Sequence, residues 1–222
     1  MRLWLSLAVL LAACGQSPSP EPQKSPALPK AGPPPTTLPA TVKSVLDGDT
    51  ITLADGTSAR YVGIDTPEFM KKKGSTWVED PEPFGREATL RNREILAGGE
   101  VRYVTHGKDH YDRALVTVHV GDIDVVETLL REGLGWFHGD DVDGPLRVRY
   151  VAAQVEAIDA GRGIWSRVKS AAGEVNASKS GVFHDPGCYN KGKAYGSALD
   201  AFRSGLRPHK GGGGREGCWK LP

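Results

Sequence analysis

Three clusters bring carboxylates and arginines close together in this sequence: Asp47-Gly48-Asp49-Thr50, then Arg60 with Asp65-Thr66-Pro67-Glu68, then Asp109-His110-Tyr111-Asp112-Arg113. Carboxylates that converge repel one another unless a hard cation lies between them. Calcium accepts such oxygen ligands and completes its shell with backbone carbonyls and water. Guanidinium forks grip phosphate bidentately and stabilise the charge that grows in phosphoryl transfer. Glu68 could orient or deprotonate an attacking water. Pro67 fixes its own φ and restricts Thr66, which holds the Thr66 carbonyl and Glu68 in a set geometry. Together these groups suit hydrolysis of a phosphodiester. Taken singly, Asp49 reads as a turn residue and Arg60 and Arg113 as surface ion pairs. Asp47 and Asp55 belong to Asp-Gly turns and are assigned structural roles.

The elements that must position these groups begin at Thr41. Residues 41–65 give three short runs rich in Val, Ile, Thr and Tyr, separated by Asp-Gly pairs at 47–48 and 55–56, the pattern of a three-stranded meander. Asp49 and Asp65 are expected at the ends of its first and third strands, side by side. Residues 69–83, with Lys71-Lys72-Lys73, read as a long solvated loop, and 84–97 as a helix ending at Gly98-Gly99. EVRYVTHG and RALVTVHVG are two further strands, and IDVVETLLREG is a helix closed by Gly133. In 146–160, Val148, Val151, Val155 and Ile158 recur at helical steps and are expected in the core. Five strands interrupted by a helix suggest an α+β domain over 41–166: a five-stranded OB-type β-barrel with three helices. Trp165 is expected as a buried plug at its end.

The motifs DGDT, R-x4-DTPE, D-x-Y-x-R and the closing GIWS, in this order across residues 41–166, resemble the staphylococcal nuclease (thermonuclease) family. The resemblance implies a calcium-dependent nuclease that cleaves DNA and RNA, leaving 3′-phosphates and 5′-hydroxyls. By position it makes Asp49 and Asp65 calcium ligands, with Thr66 coordinating through its carbonyl. Arg60 and Arg113 would bind the scissile phosphate, Glu68 would serve as base or water-orienting group, and Tyr111 would contact a neighbouring phosphate. The sequence departs from the family in several places. His110 replaces a basic residue, and Asp112 replaces a glycine, which adds an anion near the phosphate. The family's base-stacking tyrosine is not matched in GLGWFHGDD, where Trp136, Phe137 and His138 are the candidates. The loop after Glu68 is longer. The rival reading is an OB domain that binds nucleic acid without cutting it.

The rest of the 222-residue chain flanks this domain. Its hydrophobic share of 39% is that of an ordinary globular protein, and its net charge of +1 gives no hint of a polyanionic partner. That charge is unevenly spread: 15 basic against 22 acidic residues in 41–166, but 10 against 4 in 167–222. Residues 1–13 read as an export signal, and Leu11-Ala12-Ala13-Cys14 resembles a lipobox, making Cys14 the site of a lipid such as palmitate. The expectation is an exported, membrane-anchored monomer facing the periplasm or cell exterior. Residues 14–40 are a Pro- and Ser-rich disordered linker. The basic, Gly-rich segment 167–222 is a small module holding His184, Cys188, His209 and Cys218. These form a Cys2His2 zinc site, or the two cysteines close a disulfide; the spacing leaves both open. Its positive charge would help the acidic domain hold DNA.

Overall fold

A computed structural model of the chain describes residues 37–140, 142, 144–168, 173–188, 191–212 and 215–216. The signal, Cys14, nearly all of the linker and Cys218 lie outside these residues. In chain order the elements of the first part are β1 (Leu38–Ala40), β2 (Val42–Val45), β3 (Thr50–Leu53), β4 (Ser58–Tyr61), β5 (Gly63–Asp65), β6 (Met70–Lys73), β7 (Thr76–Glu79), α1 (Gly85–Leu96), β8 (Val101–Lys108), β9 (Ala114–Val120), β10 (Ile123–Asp124), α2 (Val125–Arg131), β11 (Trp136–His138) and α3 (Gly144–Asp159). A short 3₁₀ turn, Gly163–Ser166, follows.

The main sheet runs β1-β8-β9-β4-β3-β2, with β4 and β9 parallel and the other neighbours antiparallel. β1 and β2 are separated only by Thr41, yet β1 lies on β8 and β2 on β3. The chain at 38–45 therefore joins both edges of the curled sheet. The β-branched runs supply its inner face: Ile51, Val116, Val118 and Val120 are buried with Leu129 and Leu130 of α2. Asp124 caps α2, accepting from the Glu127 amide at 3.1 Å. Among the described residues no helix is long and apolar enough to cross a membrane.

Four expectations need correction. Residues 38–40, expected in the disordered linker, form β1 of the main sheet. Asp49 immediately precedes β3, the second strand of the meander, and that strand pairs directly with β4. Residues 70–79 form a β6–β7 hairpin instead of a loop, its reversal made at Gly74 with φ +64°. Its exposed charges hid the strand pattern. In α3, Val148 is 51% exposed, and Val151 and Val155 are only partly buried. The buried stripe is Tyr150, Ala153, Gln154, Ala157 and Ile158. The helix turns small and polar residues inward because Gln154 ties two segments together. It accepts from the Phe137 amide at 2.7 Å and donates to the Phe202 carbonyl at 2.6 Å.

The tail continues the same body. It contains β12 (Val175–Ala177), β13 (Val182–His184), β14 (Lys193–Tyr195), α4 (Ala198–Arg203) and β15 (Arg207–Pro208), the strands ordered β14-β12-β13-β15. Phe183 and Phe202 pack edge-on, and Phe202 packs edge-on against Trp165 at 4.8 Å. Trp136, Ala157, Ile158 and Ile164 complete this second core. Trp165 is buried, as expected, but the core runs on past it into the tail.

Candidate active site

Asp49 lies in the bend before β3, its amide donating to the Asp47 carboxylate at 3.0 Å. Only 2% of it is exposed, and its carboxylate is fully engaged. One oxygen accepts from Thr50 Oγ1 at 2.9 Å and Arg60 Nη1 at 2.5 Å; the other accepts from the Thr66 amide at 2.9 Å and Thr66 Oγ1 at 3.3 Å. Arg60, on β4, reaches Asp65 with Nη2 at 2.9 Å. The fork thus bridges two carboxylates that β3 and β5 bring together. Asp65 also meets Lys210 Nζ of the tail at 3.2 Å. The path to Asp65 depends on Gly63, whose φ of +84° breaks β4 from β5.

Glu68 is held by its backbone. Its amide donates to Glu82 Oε2 at 3.1 Å and its carbonyl accepts from the Glu82 amide at 2.8 Å. A Cβ on Gly85 would come within 2.4 Å of the same carbonyl oxygen, so α1 can start there only with glycine. Burial raises the Glu68 pKa; Lys210 opposes, while Asp49 and Asp65 add to the rise. Asp47 is the residue that the sequence reading undervalued. Burial first, then the Asp49 charge, push its carboxyl up to about 8, with Glu68 adding to the rise. The DGD spacing already held two carboxylates, and the turn explained only one use of the first.

Arg113 precedes β9. Its Nε donates to Asp109 Oδ2 at 2.7 Å, and its guanidinium lies 5.4 Å from the centroid of the 71%-exposed Tyr111 ring. Asp109 Oδ1 accepts from the amides of Tyr111 and Arg113, which fixes the turn. Asp112 has φ +65°, which explains why glycine suits that position, and its carboxylate takes Lys108 at 2.8 Å. The added anion therefore arrives with a counter-charge. Of the three candidates for the stacking residue, Trp136 and Phe137 are buried, and His138 lines the cleft. Burial lowers the His138 pKa, against the opposing pull of Asp65.

These groups surround one open cleft of about 1280 Å³. Asp47, Arg60, Asp65, Glu68, Tyr111 and Arg113 line it, and Phe69, Met70 and the 62%-exposed Trp77 stand at its hairpin side. Asp49 and Thr66 lie buried behind it. The acidic groups fit calcium. The donors are all oxygen, and after burial the charges of neighbouring carboxylates add to the raised proton affinities of Asp47 and Glu68. A carboxylate offers about four lone-pair sites, so Asp65, which accepts from Arg60 and Lys210, keeps sites for a cation, whereas Asp49 would have to exchange one of its four donors to ligate.

The tail residues gather elsewhere. His184, Cys188 and His209 place their ligand atoms within 4.8 Å of one another. Cys188 forms no disulfide among the described residues, and Cys218 lies outside them.

Residues 58–167 match the family of staphylococcal nuclease homologues. The DGDT segment lies just ahead of that match. Similar proteins include the SPbeta prophage-derived endonuclease YokF of Bacillus subtilis (strain 168), 37% identical over 42% of this chain and 32% of its own length. Endonuclease YncB of the same organism is 34% identical over 42% of this chain and 45% of its own length. An uncharacterized endonuclease of Escherichia coli O157:H7 is 33% identical over 56% of this chain and 75% of its own length. The chain thus covers less than half the length of both Bacillus relatives.

Proposed function

Because this chain belongs to the staphylococcal nuclease family, we propose that its domain at 41–166 hydrolyses phosphodiester bonds of DNA and RNA with calcium as cofactor. The observation that carries this reading is the single cleft in which Asp47, Asp65 and Glu68 face Arg60 and Arg113. Asp49, Asp65 and the Thr66 carbonyl would hold the calcium, which supplies Lewis-acid polarisation of a phosphate oxygen. Glu68, its backbone fixed and its proton affinity raised, takes a proton from the attacking water. The water oxygen bonds to phosphorus and the bond to the 5′ oxygen breaks; that oxygen takes up a proton from solvent, so the 3′ side keeps the phosphate and the 5′ side leaves as a hydroxyl. Arg113 and Arg60 bind the phosphate oxygens. The Arg60 guanidinium has five N–H donors, so some remain beyond its two carboxylates. Tyr111, exposed beside Arg113, meets the next phosphate.

A second reading, a domain that binds nucleic acid without turnover, is favoured by one contact: Lys210 already occupies Asp65. Cleavage of DNA and RNA by the purified chain, with calcium or with chelator, separates the two. Calcium-dependent cleavage is expected, abolished in Asp49→Ala and reduced about 10²–10⁴-fold in Glu68→Gln. Binding without cleavage by folded wild type would favour the second reading. The lipobox-like LAAC and the Pro-rich spacer support anchorage at the cell envelope through lipid on Cys14. On this reading, Cys14→Ser moves the protein from the membrane to the soluble fraction.

A further inference from the structure

We propose that His184, Cys188 and His209 form a binding site for a zinc-class transition metal, and that this ion fixes the following residue, Lys210, against Asp65. The backbone delivers all three ligands. β13 ends on His184, and a turn closed by the Cys188 amide on the Asp185 carbonyl, at 2.9 Å, brings Cys188 back. β15, parallel to β13, delivers His209, whose amide donates to the Phe183 carbonyl at 3.0 Å. Cys188 Sγ then lies 3.9 Å from His184 Nδ1 and 3.7 Å from His209 Nδ1.

Those separations have the size that tetrahedral zinc imposes. With Zn–N of about 2.0–2.1 Å and Zn–S of about 2.3 Å, a tetrahedral angle puts nitrogen and sulfur roughly 3.6 Å apart. Two imidazoles and a thiolate select zinc, cobalt or copper, and disfavour calcium, whose ligands are oxygens. Among the described residues three donors converge, and the fourth tetrahedral position falls to a further ligand.

The consequence lies one residue further on. Lys210 follows His209 directly, and its ammonium sits 3.2 Å from Asp65 Oδ2 and 4.6 Å from the centre of the Trp136 ring. Just upstream, Arg207 is paired with Asp140, at 2.5 and 3.1 Å. A metal on His209 therefore clamps the segment from the side that Arg207 does not hold. This holds whether or not the cleft is a nuclease site.

The test uses the full chain, stripped of metal and titrated with Co(II). The expected result is saturation at an equimolar amount, with tetrahedral d–d bands and a thiolate-to-cobalt charge-transfer band that excess calcium does not abolish. The charge-transfer band should be lost in Cys188→Ser, whose exposed position spares the fold. Brief lysine acylation read by mass spectrometry reports the clamp: Lys210 should label several-fold faster in stripped protein and in Cys188→Ser than in metal-loaded wild type. Absence of the thiolate band at equimolar cobalt, or its survival in Cys188→Ser, overturns the site. Equal labelling of Lys210 with and without metal overturns the clamp.

Discussion

Asp109 holds the Arg113 side chain, which would otherwise swing free, whereas Glu82 fixes the Glu68 backbone. Burial opposes the Asp109 charge, but hydrogen bonds from Arg113 and from the Arg113 and Tyr111 amides keep its pKa below the ordinary carboxylate value. Asp109→Asn should keep the turn but loosen the guanidinium. An expected loss of about 1–2 kcal/mol in transition-state stabilisation corresponds to roughly tenfold in kcat/KM. Single-turnover cleavage would measure it, and unchanged rates would mean that Arg113 positions itself. Lys210 makes a second residue-scale prediction. Burial works against its charge, yet Asp65, Glu68 and Glu82 hold its pKa above the ordinary lysine value. A cation seated there competes with calcium for Asp65, so Lys210→Met should tighten calcium binding several-fold by calorimetry. Weaker or equal binding would show that the lysine does not compete.

At the scale of elements, Gly63 sets the break that aims Asp65. Its φ is +84°, and a Cβ would lie 2.5 Å from the Tyr150 ring. Gly63→Ala should therefore cost about 3 kcal/mol, visible in denaturant unfolding. α2 carries an acid-sensitive link. Burial would raise the Glu127 pKa, but hydrogen bonds from Arg149 and Arg131 hold it below its ordinary value of 4.5. A depressed carboxylate adds stability that is full above its unfolded pKa and is lost as pH falls through the folded one. The Tm gap between wild type and Glu127→Gln should therefore be present at neutral pH and close as pH falls below the ordinary value of 4.5; a gap independent of pH would refute the link. Much of this scale was legible in sequence. Strand and helix positions followed period and turn chemistry, and DGDT, DTPE and D-x-Y-x-R named the residues that line or back the cleft. The β6–β7 hairpin was not legible, because Lys71, Lys72 and Lys73 carry no apolar alternation. Nor was the buried face of α3, because its inward residues are chosen by Gln154 bridging Phe137 and Phe202, a contact 48 residues long in sequence. Asp47 stands in the sequence as a turn carboxylate, and only the fold buries it beside Asp49.

Across the whole molecule, the tail is part of the fold as well as a source of positive charge. Its ten basic residues against four acidic ones could assist DNA retention, raising KM for long DNA when lost. Deleting 167–222 would also strip Phe183 and Phe202 from Trp165. Phe202→Ala should by itself cost about 3–5 kcal/mol. Neutralising exposed Lys191 and Lys193 separates charge from stability: the salt slope of binding should shrink while Tm stays put.

The seam at Thr41 has a mechanical consequence. Any tension applied to the chain ahead of Thr37 enters the fold through β1, which grips β8 over only Leu38, Pro39 and Ala40. Arg102 Nε adds one bond, to Thr37 Oγ1 at 2.7 Å. β2 holds its own partner, β3, on the opposite edge. Under load β1 should therefore peel away first, as a short fuse, while the strands that carry Asp49, Arg60 and Asp65 keep their register.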